Sequence, residues 1–124
     1  MTRHLTLEQV LDLADLATGG PPDIRDHGLL ESAVHRPQTS VFGQDAYPDM
    51  LTKAAALLQS LASNHALVDG NKRLAWTATD VFCRYNDVVP APDEEEAYDL
   101  VVAVAAGKIH EVEEIAETLR TFVR

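Results

Sequence analysis

Residues 50 to 65 constrain the fold of this chain more than any other stretch. They read Met-Leu-Thr-Lys-Ala-Ala-Ala-Leu-Leu-Gln-Ser-Leu-Ala-Ser-Asn-His. Asp49 is a good N-cap, and the pattern predicts a helix from Met50 to His65. Ala54, Ala55, Ala56 and Ala62 are small enough to let another helix approach closely, which marks this as the buried central helix. A second helical pattern starts at Asn71 or Lys72 and runs to about Asn86, with Leu74, Ala75, Ala78, Val81 and Phe82 inward. The junction between the two, Asn64 to Arg73, holds a histidine, a carboxylate, a glycine, an amide and two cations. A linker that only joined two helices would need none of these.

The remaining chain supplies helices around this pair. Thr6 followed by Gln9 reads as a capping box, and Leu7, Val10, Leu11, Ala14 and Ala17 form the apolar stripe of a helix from Leu7 to Ala17. Gly19-Gly20-Pro21-Pro22 reads as a simple helix stop. Asp26 caps a short helix from Gly28 to His35, which Arg36-Pro37 is expected to close, because the residue before a proline disfavours helical backbone. Residues 37 to 48 show no period, and Phe42 and Tyr47 around Gly43 suggest a short hairpin or flap. A helix from Asp93 to Ala106 begins with Glu94, Glu95 and Glu96, acids that favour the positive end of its dipole, and Gly107 is its C-cap. A last helix runs from Glu111 to Phe122. The reading is all-α: six helices in a single domain over residues 1 to 124, a central buried helix, a short flap and no convincing sheet.

Composition narrows the function. A chain of 124 residues supports one good core, and no apolar run approaches the roughly 18 residues of a membrane span. The N-terminus has no signal-peptide pattern, and the single cysteine, Cys83, fits a reducing compartment, so a cytoplasmic protein with no membrane partner is expected. The formal net charge of −10 disfavours direct binding to nucleic acid, where affinity comes from clustered Lys and Arg. Lys72 and Arg73, adjacent in so acidic a chain, suit a small phosphorylated ligand better than a polymer.

The chemistry of residues 65 to 73 follows from what a helix start offers. Its first N–H groups have no partner within the helix, and the dipole leaves partial positive charge there. Gly70 lets the backbone turn sharply and approach a ligand. Gly70, Asn71, Lys72 and Arg73 therefore make an anion cradle, with Arg73 forking onto phosphate oxygens and Lys72 acting as a point charge. Asp69 at its edge would repel a phosphate unless a cation lay between, and magnesium takes one or two carboxylates together with phosphate oxygens. His65 is the nearby side chain able to take a proton near neutral pH. Base, metal carboxylate and phosphate clamp amount to group transfer from a nucleoside polyphosphate to a hydroxyl. Taken singly, each residue is ordinary: a histidine often ends a helix, Asp-Gly-Asn is a common turn and Lys-Arg a common solvated pair. The ordered set carries the signal. His4, His27, His35 and His110 have no matching carboxylate spacing, Cys83 beside Phe82 reads as core, and the chain contains no full Walker A sequence.

His65-Ala66-Leu67-Val68-Asp69-Gly70-Asn71-Lys72-Arg73 resembles the signature loop of the Fic/Doc superfamily, His-x-Phe-x-(Asp/Glu)-(Ala/Gly)-Asn-(Gly/Lys)-Arg, in the Doc-like, death-on-curing form with Lys before Arg. The likeness extends to Arg25-Asp26, Gly28 to Ala33, Gln44 to Pro48 and Lys53 to Leu58, and covers roughly residues 4 to 122. Leu67 stands where Phe is usual, and Leu74 where Doc proteins often have Thr. The resemblance implies a compact six-helix Fic/Doc-type domain, with His65 as general base, Asp69 holding Mg2+, Gly70 and Asn71 at the anion hole, and Lys72 and Arg73 on the phosphates of ATP. It further implies a protein kinase toxin that phosphorylates a hydroxyl of elongation factor Tu and arrests translation, with residues 37 to 48 as the flap that docks the target. Fic-type transfer of AMP is the alternative, and a non-catalytic helical domain whose loop only binds an anion or partner is the second. Many Fic proteins carry an inhibitory (Ser/Thr)-x-x-x-Glu-(Gly/Asn) helix. No Ser or Thr here has Glu four residues on, so an antitoxin protein acting in trans is expected.

Overall fold

The computed structural model describes residues 1–123. Its elements are α1 (Leu7–Thr18), α2 (His27–His35), a 3-10 turn (Arg36–Gln38), β1 (Ser40–Val41), β2 (Gln44–Asp45), α3 (Met50–Ser63), α4 (Asn71–Tyr85), α5 (Glu94–Ala105) and α6 (Val112–Phe122). The helix starts follow from local side-chain chemistry. Thr6 and Gln9 close both halves of a capping box, as do Asp93 and Glu96, while Asp26 and Asp49 accept the N–H groups of Leu29 and Thr52. Each removes one orphan donor that a bare helix start would leave.

Helix α3 is the axis. Ten of its residues are buried, from Thr52 to Ala62 except Gln59, and α2, α4, α5, α6 and the 3-10 turn all pack on it. Apolar residues spread over most of its circumference have to be enclosed, and the alanines at 54, 55, 56 and 62 let its neighbours close in. Helix α4 lies against α3 and also receives α1, so the 64–70 junction is held at the meeting of three helices. Side chains from all six helices join one apolar cluster, with Phe82, Leu30, Leu57, Leu58 and Ile115 among its largest fully buried members. Cys83 is fully buried in this core, and that burial pushes its thiol up to about 12, with Asp80 adding to the effect. No helix among the described residues is long and apolar enough to cross a membrane.

The structure differs from the sequence reading at the end of α3, at Arg36 and at the C-cap of α5, which is Ala106 rather than Gly107, and it forms the short hairpin expected within residues 37 to 48. Helix α3 ends at Ser63 rather than His65: Asn64 is the C-cap and His65 takes a left-handed backbone with φ +54°. Arg36 does not leave the helical region before Pro37. It holds φ −55° and ψ −41°, and the chain continues into the 3-10 turn, where the proline at the turn's start needs no N–H. Residues 40 to 45 form a two-stranded antiparallel hairpin pairing Ser40 with Asp45 and Val41 with Gln44. Its two-residue tip, Phe42 (φ +52°) and Gly43 (φ +78°), has the doubly positive φ of a tight hairpin turn. Two buried or half-buried cations tie this flap to α3. Lys53 Nζ donates to Asp45 Oδ2 (3.2 Å) and to the carbonyl of Tyr47. Arg36 donates to the Tyr47 hydroxyl (3.1 Å), Gln59 Oε1 (2.7 Å) and Ser60 Oγ (3.1 Å).

Candidate active site

The loop between α3 and α4 is built in three steps. Ala66 and Leu67 are buried, so the middle of the loop is anchored in the core; Leu67 is 1% exposed and fills the anchoring position. Asn71 then closes the loop on itself. Its Oδ1 accepts the N–H of Leu67 and its Nδ2 donates to the Leu67 carbonyl, both at 3.0 Å. Gly70 completes the turn into α4 with φ +91°, where an L side chain is strained, and a Cβ there would lie 2.5 Å from Thr18 Cγ2. The loop's outer edge is pinned by residues 23 to 26. The N–H groups of Arg25 and Asp26 both donate to the Ala66 carbonyl (2.8 and 3.0 Å), Val68 N–H donates to the Asp23 carbonyl (2.9 Å), and Ile24 bridges to Leu67.

This frame sorts the residues expected from the sequence. Asp69 and Arg73 meet in the wall of one polar cavity of about 230 Å³, and Gly70 leads into the α4 start beside it. Lys72 and Arg73 line a second, more apolar cavity of about 560 Å³ with Trp76, Tyr98 and Val101, so Arg73 is common to both. Both cations are exposed, and neither forms an ion pair among the described residues. Asp69 is exposed, and its Oδ1 accepts the N–H of Gly70 at 2.9 Å, which leaves Oδ2 for a cation. The Asn71 side chain is spent on Leu67, so what residue 71 offers an anion is its backbone N–H at the start of α4. His65 stands at the other end of the loop, exposed and outside the lining of both cavities. A left-handed backbone at a residue other than glycine costs on the order of 1 kcal/mol, and here the surroundings hold it.

Two contributors escaped the sequence reading. Gly19-Gly20-Pro21-Pro22 is more than a helix stop: with Thr18 and Asp23 it forms the facing wall of the polar cavity, a second carboxylate included. Arg25 reaches across 40 residues of sequence to the His65 carbonyl. Glycine density before a proline pair was the available signal for the first. The second had only the Arg25-Asp26 pair to mark it, because a contact of that span leaves no local period. Glu94, which acts as a first-turn acid of α5, also reaches the wall of the larger cavity.

Among the described residues no group of three or more acids, histidines or cysteines is placed to hold a metal ion unaided. The donor set is instead one carboxylate next to an anion cradle, which suits an ion that takes its other ligands from phosphate and water. In general terms this is a helical domain that presents a cationic helix start, a carboxylate and a histidine around one short loop. The family model described as the Fic/DOC family matches residues 4–83, and the chain belongs to that family. It is 54% identical over 107 residues to the protein named Toxin Doc from Mycolicibacterium smegmatis (strain ATCC 700084 / mc(2)155), covering 85% of this chain and 82% of that one. It is 34% identical over 121 residues to the protein named Protein kinase doc from Escherichia phage P1, covering 95% of this chain and 94% of that one.

Proposed function

We propose that this chain is the toxin of a toxin–antitoxin pair and a protein kinase that moves the γ-phosphate of ATP to a Ser or Thr hydroxyl of a translation factor, elongation factor Tu. The observation that carries the reading is the meeting of Asp69 and Arg73 at one cavity beside the glycine-led start of α4. The names of the two relatives, a toxin and a protein kinase, support it. In this reading the free N–H groups at the start of α4, Lys72 and Arg73 bind the triphosphate and neutralise charge that builds on the transferring group. Asp69 would help to hold magnesium, which when bound would supply positive charge against the phosphate oxygens. An imidazole nitrogen of His65 takes the proton of the target hydroxyl, whose oxygen forms the new bond to the γ-phosphorus as the bond to the β-phosphate oxygen breaks and ADP leaves. The flap carries Val41 and a fully exposed Phe42 at its tip, an apolar surface for the target to rest on. In this reading an antitoxin acting in trans restrains the enzyme, which the name of the relative Toxin Doc supports.

The test is the purified protein with γ-labelled ATP, magnesium and a bacterial lysate, beside a His65→Ala control. A phosphate adduct on a protein near the mass of elongation factor Tu, absent in the control, is the expected result. An AMP adduct by mass spectrometry would assign Fic-type nucleotidyl transfer instead. Growth inhibition that survives His65→Ala would remove the enzymatic reading and leave a binding domain.

A further inference from the structure

We infer that Arg25 is a positioning residue for His65: through the His65 carbonyl it holds the left-handed backbone that fixes where the imidazole stands. The inference rests on the reading of His65 as the base. The geometry is specific. Arg25 Nε–H donates to the His65 oxygen at 2.8 Å, Nη2 donates to the same oxygen, and Nη2 also lies 3.5 Å from the Asn64 oxygen. The Asn64 carbonyl belongs to the C-cap of α3 and the His65 carbonyl to the residue just beyond it, so the guanidinium sits off the C-terminal end of the helix, where the dipole favours a cation. Arg25's own N–H donates to the Ala66 carbonyl, so one residue grips both peptide oxygens that follow the His65 and Ala66 α-carbons. His65 has φ +54°, and left-handed backbone at that place in a helix end usually belongs to glycine. A histidine persists there only if its surroundings over-determine it. The guanidinium fork does so because its donors are coplanar and fixed relative to one another.

Without those donors the left-handed φ of His65 is no longer held against its strain, and as φ relaxes about the N–Cα bond, Cβ and the imidazole it carries turn with it while Ala66 stays anchored. Arg25 need not touch the nucleotide or the target for this to govern transfer. It acts on the orientation of the base, so its loss falls on kcat and spares ATP binding.

The experiment compares Arg25→Met, which keeps the aliphatic stem and deletes every side-chain donor, with Arg25→Lys and His65→Ala. Initial rates of label transfer from γ-labelled ATP into a bacterial lysate give apparent kcat and KM for ATP, and amide and Cα chemical shifts of residues 64–67 are read by NMR on the free protein. Arg25→Met is expected to lose kcat on the order of 10²-fold, the scale for a reacting group displaced by about 1 Å, with KM for ATP within about twofold of wild type. Arg25→Lys, with a single donor head, falls between the two. In Arg25→Met the His65 shifts move out of the left-handed range while those of α4 stay in place. Wild-type kcat in Arg25→Met, or unmoved His65 shifts, overturns the inference while the proposed reaction stands. If the Met variant does not fold, Arg25→Lys decides it: reduced kcat at unchanged KM supports the inference and wild-type kcat overturns it. Full activity in His65→Ala sinks the reading of the base itself, which the NMR arm does not depend on.

Discussion

Gly70→Ala is the perturbation whose size can be worked out most directly. Two separate penalties apply. Residue 70 holds φ +91°, and an L side chain held in left-handed backbone costs about 1–2 kcal/mol. The new methyl would also stand 2.5 Å from Thr18 Cγ2, well inside contact distance. Thr18 cannot simply turn away, because its single Oγ1–H is shared between the carbonyls of Ala14 (2.8 Å) and Gly20 (3.0 Å), and a change of χ1 breaks that contact. Overpacking of this kind costs about 1–3 kcal/mol. The sum, roughly 2–5 kcal/mol, is a large share of the 5–15 kcal/mol that stabilises a typical domain, and it should lower the melting midpoint on the order of 10 °C. Thr18→Ser removes Cγ2 and keeps the hydroxyl with its shared hydrogen bond. In a double-mutant cycle read by urea denaturation, Thr18→Ser should therefore recover the contact part of the loss, about 1–3 kcal/mol, and leave the backbone part. A Gly70→Ala protein within about 0.5 kcal/mol of wild type, or a cycle with no coupling between residues 18 and 70, would refute the account of how α1 is seated against the start of α4.

Other outcomes follow from the same contacts. Asn71→Ala deletes both hydrogen bonds to Leu67; it should destabilise the chain by about 1–3 kcal/mol and raise KM for ATP, checked by denaturation and label-transfer kinetics. Lys53→Met leaves the Tyr47 carbonyl without its buried partner and frees Asp45, so proteolytic cleavage within residues 39–47 should speed up while the global unfolding midpoint changes little. His4 stacks on Phe82, and burial first, then the charge of Lys53, holds its pKa below the ordinary 6.5, with Asp45 opposing. Its neutral form is the folded one, so its contribution is complete above pH 6.5 and declines as the pH falls and the unfolded chain takes the proton first. His4→Phe should accordingly show a shallower loss of urea midpoint between pH 7 and pH 5 than wild type, and parallel slopes would contradict this.

What the sequence determined by itself is what short-range chemistry controls. Thr6, Asp26, Asp49 and Asp93 announce helix starts because a cap bonds an N–H three residues on, and the ordered set from His65 to Arg73 announces the loop because a glycine and a cation pair at a helix start act over one turn. Helix α3 could be recognised as central from its alanines, since small side chains at 54, 55, 56 and 62 let neighbouring helices approach it closely. The tertiary structure decided the backbone of His65, because the weak preference of histidine for the left-handed region does not by itself put it there and a guanidinium 40 positions earlier bonds its carbonyl. It also decided that Thr18 to Asp23 faces Asp69 and Arg73, and that Lys53 and Arg36 turn inward to anchor the flap. These are contacts between segments that meet only after the helices have packed. A chain records a partner three residues away in its pattern, but it records a partner forty residues away only in the shape it folds into.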